Sequence, residues 1–265
     1  MRITRRDLLI RSLPAAALLA ACGGDDPVTV HSNGTPLEST PPVTPAATAP
    51  EMTPTPVLLA GVAPGAAPCR ADRLDPADLC GFAMPIAGAC LTASEALMPN
   101  APRTYRRGVH EGVDFYNGLA CATVGLGTPV LAMHQGTVVR ADLGYRELTP
   151  AQLRALREST NRLGYSDEET LDAYRGRQVW VDHGRGIVSR YAHLSSIADG
   201  LRVGMQVRAG QVLGAVGESG TPESIEAPGT ELHLHAEVRI ESSFLGAGLA
   251  PGQVRALYLR LFGLA

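Results

Sequence analysis

The chain contains no lysine; all 23 of its basic residues are arginine, so any function that needs a carrier lysine is ruled out. It also lacks an internal run of about 18 apolar residues, which excludes a membrane-spanning helix in the mature protein. No basic stripe is present and the formal charge is −3, a poor match for a nucleic-acid binder. What remains is a 265-residue chain, 45% hydrophobic and 18% charged, long enough for one good-sized domain plus appendages.

The first 22 residues, "MRITRRDLLIRSLPAAALLAAC", read as an export signal. A basic start (Arg2, Arg5, Arg6) precedes a short apolar run from Leu13 to Ala21 and then Cys22. "TRRDLL" resembles a twin-arginine signal. "LAAC" resembles a bacterial lipoprotein box, in which Cys22 is lipidated and anchors the chain to a membrane. The expected location is the outer membrane facing the periplasm, or the cell-envelope surface. Removing Arg2, Arg5, Arg6, Arg11 and Asp7 with the signal moves the formal charge from −3 to −6. Residues 23–68 hold half of the prolines among Thr, Ala and Gly, without hydrophobic periodicity, and read as a disordered tether. The folded domain is expected over 69–265. Four cysteines remain in it, and an even number in an exported chain suggests two bridges, of which Cys69–Cys80 and Cys90–Cys121 are the favoured pairing.

Beyond Cys80, short alternating runs bounded by glycine ("PVLAM", "GTVVRA", "RQVWVDHG", "GIVSRYAHL") predict a mainly β, antiparallel sandwich or groove. One segment, 143–176, breaks the pattern. Thr149 with Gln152 forms a capping box, and Pro150 suits the first helical position. Ser166 with Glu169 repeats the signature, so a semi-independent helical hairpin is expected between two strands. A C-terminal helix follows, with Val254, Leu257, Tyr258 and Leu261 as its apolar stripe.

The chemistry lies in the histidines. In "HLHAEV", His233 and His235 share one face of a strand, and Leu234, Ala236 and Val238 fill the other. That arrangement puts two imidazoles side by side on a wet face. "GVHEGVDF" carries His110 and Asp114 at matching parity with Gly112 between them, expected to let the two side chains approach. Two histidines and a carboxylate are a ligand set for catalytic zinc. His110, Asp114 and His235 are the candidate ligands, while His193 and His233 are free to serve a reaction as acid and base. His134 and His183 lie beside turns and read as serving turn geometry or surface solvation. Tyr191 shares parity with His193 and either borders the groove or packs.

"HEGVD", "YAHLSS" and "HLHAEV", in that order, resemble the motifs of the lysostaphin/LytM-type zinc metallopeptidases. The resemblance extends over roughly 82–240 and takes in "GTPVLAMHQGTVV" and "GMQVRAGQVLGAVGESG". It implies a duplicated hybrid motif fold, an antiparallel β-groove with Zn2+ on its floor, and hydrolysis of peptide bonds in peptidoglycan. His110, Asp114 and His235 correspond to zinc ligands; His193 and His233 correspond to the two catalytic histidines. No motif residue is missing, although Ala236 stands where the family usually has an aromatic. The alternative is a non-catalytic or autoinhibited LytM-type regulator of other wall hydrolases. A further rival, a lipoyl-type hairpin at 204–217, fails for want of a lysine.

Overall fold

The computed structural model describes Leu74 and residues 79–264, all within one compact unit, Leu58–Ala265. The signal, Cys22, the tether and Cys69 lie outside the described residues. In the first half come β1 (Pro102–Arg103), β2 (Gly108–Val109), β3 (Val113–Tyr116), β4 (Pro129–Leu131) and β5 (Gly136–Ala141). The helical insert follows as α1 (Pro150–Leu163) and α2 (Glu168–Arg175). Next are β6 (Val179–Gly184), β7 (Ile187–Ala192), β8 (Leu194–Ile197), β9 (Gln206–Val207) and β10 (Val212–Val216). The chain ends with α3 (Glu223–Glu226), β11 (His233–Ile240), β12 (Ser243–Phe244) and α4 (Pro251–Leu261). No described helix is long and apolar enough to cross a membrane.

The strands form the mainly β, antiparallel arrangement that the alternating runs predict. The large sheet runs β12-β11-β7-β6-β5-β9, with β3 also on β11; a smaller sheet runs β4-β10-β8. β3 and β12 divide one edge of β11 between them, β3 along His233–Ala236 and β12 along Arg239–Ile240, while β7 takes the other edge. The core between the sheets is aliphatic, with Val113, Phe115, Val138, Val181, Leu213 and Leu234 each at most 1% exposed. Gly112 serves close packing rather than an approach between ligands: a Cβ there would collide with the Ala236 carbonyl, whose carbon would lie 2.9 Å away. The Cys90–Cys121 bridge is present as expected, and Cys80 is also disulfide-bonded.

The first insert helix starts as its sequence dictates, with Thr149 and Gln152 exchanging capping bonds and Pro150 at its head. The second differs by one residue. Asp167, not Ser166, caps α2, accepting from the Thr170 amide at 2.9 Å. Ser166 instead donates to the Arg106 carbonyl at 2.8 Å and contacts Thr160 Oγ1 at 2.9 Å. The hairpin is also less independent than its pattern suggests, because Arg175 at the end of α2 is buried against the carboxylates of Glu111 and Glu237. α4 packs on the core through Val254, Tyr258 and Leu261, with Leu257 half-buried.

Candidate metal centre and catalytic groove

Strand register assembles the site. Asp114 on β3 stands directly opposite His235 on β11, and Ala192 on β7 stands opposite the same histidine from the other side. Directly opposed residues of an antiparallel pair project from the same face about 5 Å apart, so Asp114 and His235 must meet. His193 follows Ala192 in a left-handed conformation (φ 59°) that breaks β7 from β8. Such a φ is uncommon for a residue with a side chain. The Arg175 carbonyl, which accepts from the His193 amide at 2.9 Å, holds it there.

His110 Nε2, Asp114 Oδ1 and His235 Nδ1 form a near-equilateral triangle with sides of 2.8, 2.9 and 2.7 Å. The outward nitrogens of both rings are committed elsewhere. His110 Nδ1 lies 3.1 Å from the Met98 carbonyl, which can only accept, and His235 Nε2 lies 3.0 Å from Glu237 Oε1. With the ring protons on those outer nitrogens, three lone pairs converge at distances where they repel unless a cation joins them. The donor set is therefore a chemical fit for zinc, two imidazoles and one carboxylate with their outer partners in place. The second Asp114 oxygen accepts from Arg103 Nη2 at 2.8 Å, leaving Oδ1 for the triangle.

His193 and His233 stand beside this triangle. Their ring centroids are 4.6 Å apart, and His233 Nε2 is 3.9 Å from Asp114 Oδ1. Each gives its Nδ1 proton to a carbonyl, His193 to Ser219 at 2.9 Å and His233 to Glu231 at 2.6 Å. Each therefore keeps Nε2 bare as a proton acceptor. Tyr116 stacks on His233 at 4.4 Å and donates to Glu231 Oε2 at 2.6 Å.

Burial lowers the His110 pKa to about 4 despite the pull of Asp114. Burial, with the neighbouring imidazoles, holds His193 well below the ordinary histidine range, and burial lowers His233 as well. Both are neutral bases at neutral pH. Burial also works against a charge on His235 and on Asp114. At His235 the two flanking carboxylates outweigh it and raise the pKa, while at Asp114 the two imidazoles outweigh it and keep the carboxyl ionised.

The structure brings all five residues singled out from the sequence onto the lining of one cavity of about 460 Å³, with one correction to the expected surroundings. The histidine face of β11 is not wet: His233 and His235 are each 5% exposed and Glu237 only 1%. The cavity is covered by the segment around 96–106, by the insert through Arg157, Tyr174 and Arg175, and by 221–223. Tyr191 packs rather than bordering the groove; it is fully buried, its hydroxyl accepting from the Met133 amide at 2.7 Å. His134 and His183 both approach the Gln135 carbonyl, at 3.1 and 2.7 Å, as structural residues.

Arg103 and the charge network behind His235 were not foreseen from sequence. Arg175 gives Nε to Glu237 at 2.7 Å, Nη2 to Glu111 at 2.6 Å and Nη1 to Glu168 at 3.2 Å. Arg239 joins the same two carboxylates, at 2.8 Å to Glu111 and 3.2 Å to Glu237. Glu237 had one available signal, its parity with His233 and His235 on β11.

Residues 162–246 match the model of peptidase family M23, a span that includes His193, His233 and His235. No curated protein matches. Among solved structures, a zinc-containing peptidase from Vibrio cholerae is 20% identical over 64% of this chain, with a TM-score of 0.40. The present chain spans 40% of that protein's length. The catalytic domain of lysostaphin from Staphylococcus simulans is 24% identical over 54% of this chain and 80% of its own, with a TM-score of 0.35. The catalytic domain of the prophage-encoded M23 protein EnpA from Enterococcus faecalis is 20% identical over 64% of this chain and 94% of its own, at 0.38. The family match over 162–246 makes this part of the chain similar to the peptidases of family M23.

Proposed function

We propose that the domain is a zinc-dependent endopeptidase that hydrolyses peptide bonds in bacterial peptidoglycan. The observation that carries this reading is the convergence of three potential ligand atoms, His110 Nε2, Asp114 Oδ1 and His235 Nδ1, beside two neutral histidines. His110, Asp114 and His235 would hold the metal, and zinc when bound supplies Lewis acidity for hydrolysis. His193 and His233, with Nε2 free, take a proton from the attacking water and return one to the leaving amine. Arg103 fixes the Asp114 carboxylate by its second oxygen, and Tyr116 holds the plane of the His233 ring. The substrate class is supported by the family match. The same proposal places the domain outside the cytoplasm, tethered through a lipid on Cys22, on the strength of the sequence alone.

The test is elemental analysis and peptidoglycan digestion on the same purified sample. About one zinc per chain is expected. Release of new amino termini should stop with a chelator and return with added zinc. Digestion indifferent to the chelator would contradict the proposal.

A regulator that does not cleave is favoured by one feature. Arg157, on the cavity lining, is clasped by Glu226 at 2.6 and 2.8 Å, which ties α1 to α3. In that reading the wild-type chain binds zinc without cleaving, and Arg157→Gln releases activity.

A further inference from the structure

Arg106 is the one guanidinium on the cavity lining that lacks a carboxylate partner within ion-pair distance among the described residues. Arg103 has Asp114, Arg157 has Glu226 and Arg175 has three glutamates. Arg106 is 5% exposed, gives Nη2 to the Val109 carbonyl at 2.6 Å, and leaves its buried Nε without any acceptor. A guanidinium has five N–H donors and stays charged, so a buried one without a counter-ion is a costly arrangement. It lies on the lining of the same cavity as His110, Asp114 and His235.

Its surroundings are rich in donors. Tyr105 and Tyr174 line the cavity beside it, their rings edge to face at 6.0 Å. Tyr174 is buried and Tyr105 is 56% exposed, and each phenol is an O–H donor at neutral pH because it ordinarily titrates at about 10. Glu231 is occupied by Tyr116, and Glu223, also on the lining, is outside ion-pair distance of Arg106. The insert holds the segment that carries Arg106, through Ser166 on its carbonyl and Arg107 Nη2 on Asn161 Oδ1 at 3.3 Å.

From these contacts we infer that Arg106, with the hydroxyls of Tyr105 and Tyr174, forms a binding site for a carboxylate of the peptide substrate. The inference rests on the peptidase reading and narrows it to peptides with a carboxylate close to the scissile bond. The insert then has a part in recognition, since α1, α2 and the turn between them fix the specificity end of the groove.

Three probes separate the sources of such a carboxylate. They are N-acetyl-tetraalanine with a free C-terminus, its C-terminal amide, and the amide with one alanine replaced by glutamate. Each is titrated calorimetrically into the zinc-loaded and metal-free full chain. At least one carboxylate peptide should bind about tenfold or more tightly than the neutral amide, as a charge-assisted hydrogen bond to a buried cation requires. Arg106→Gln should bring that preference within about twofold, and Arg106→Lys should keep part of it. The preference should be the same with and without zinc. Equal affinity of wild type for all three peptides, or no binding of any, would overturn the inference, as would a preference that survives in Arg106→Gln. Should Arg106→Gln fail to fold, the wild-type comparison and Arg106→Lys decide. Cleavage without a carboxylate preference defeats this inference alone. A preference without cleavage defeats the peptidase reading and leaves the site standing.

Discussion

Replacing Arg175 by methionine tests whether the insert is part of the metal centre. Arg175 belongs to α2, yet its side chain is 2% exposed and reaches Glu237, Glu111 and Glu168. Methionine fills much of the volume but leaves Glu111 with Arg239 at 2.8 Å, and Glu237 with Arg239 at 3.2 Å, Arg190 at 3.6 Å and His235 Nε2 at 3.0 Å. Breaking a buried ion pair from one side costs about 3–5 kcal/mol, because the remaining charge is left without its partner. The Arg157–Glu226 pair is the natural control. Its side chains are 42% and 49% exposed, so Arg157→Gln should change stability little. A second effect should reach the metal. Glu237 accepts from His235 Nε2, and loss of such an outer partner's support typically weakens metal binding about 10–100-fold. Urea unfolding of the metal-free proteins gives the first quantity, and competition with a chromophoric chelator gives the second. If Arg175→Met loses less than about 1 kcal/mol and binds zinc as wild type does, the network is not what orients His235.

Three further outcomes follow from the packing and from His183. Replacing Cys90 and Cys121 together by alanine opens a loop of 31 residues and should cost about 2–4 kcal/mol in urea unfolding, while a loss near zero would show that the bridge does not constrain the unfolded chain. Gly112→Ala should destabilise markedly or fail to fold, because its Cβ would collide with the Ala236 carbonyl, and a wild-type melting temperature would refute the close approach of β3 and β11. Burial lowers the His183 pKa to about 4, so between that value and the ordinary histidine value near 6.5 only the unfolded chain binds its proton. The unfolded state thus holds more protons in that window, and His183 should remove about 1.4 kcal/mol of stability per unit as pH falls from about 6.5 towards 4. His183→Gln should flatten the pH dependence by that slope, and an unchanged slope would refute the assignment.

Much of the site is legible in the sequence because strand periodicity is strict. The parity of His233 and His235 and the spacing of His110 and Asp114 follow from local rules that the strand pairing preserves, whereas the break at His193 inside the run "GIVSRYAHL" does not. The Thr149 capping box is legible for the same reason, as its partners are three residues apart. At α2 two good capping residues adjoin, and the choice of Asp167 goes with a distant contact, Ser166 on the Arg106 carbonyl. The burial of the histidine face was not legible, since segments far apart in sequence supply the cover. The same holds for Arg175, whose partners Glu111 and Glu237 are 64 and 62 residues away. Nothing local distinguishes it from the solvent-facing arginines of α1.

The central claim is that His233 and His193 act on the substrate while His110, Asp114 and His235 bind the metal. The measurement that tests it most directly is turnover of peptidoglycan peptides by His233→Ala and His193→Ala, with zinc content determined in the same samples. Each variant should keep about one zinc per chain and lose at least about a hundredfold in turnover, the usual contribution of a general acid or base. The double variant should fall far short of the product of the two losses, because both residues serve one transition state. Near-wild-type turnover in His233→Ala with zinc retained would contradict the account.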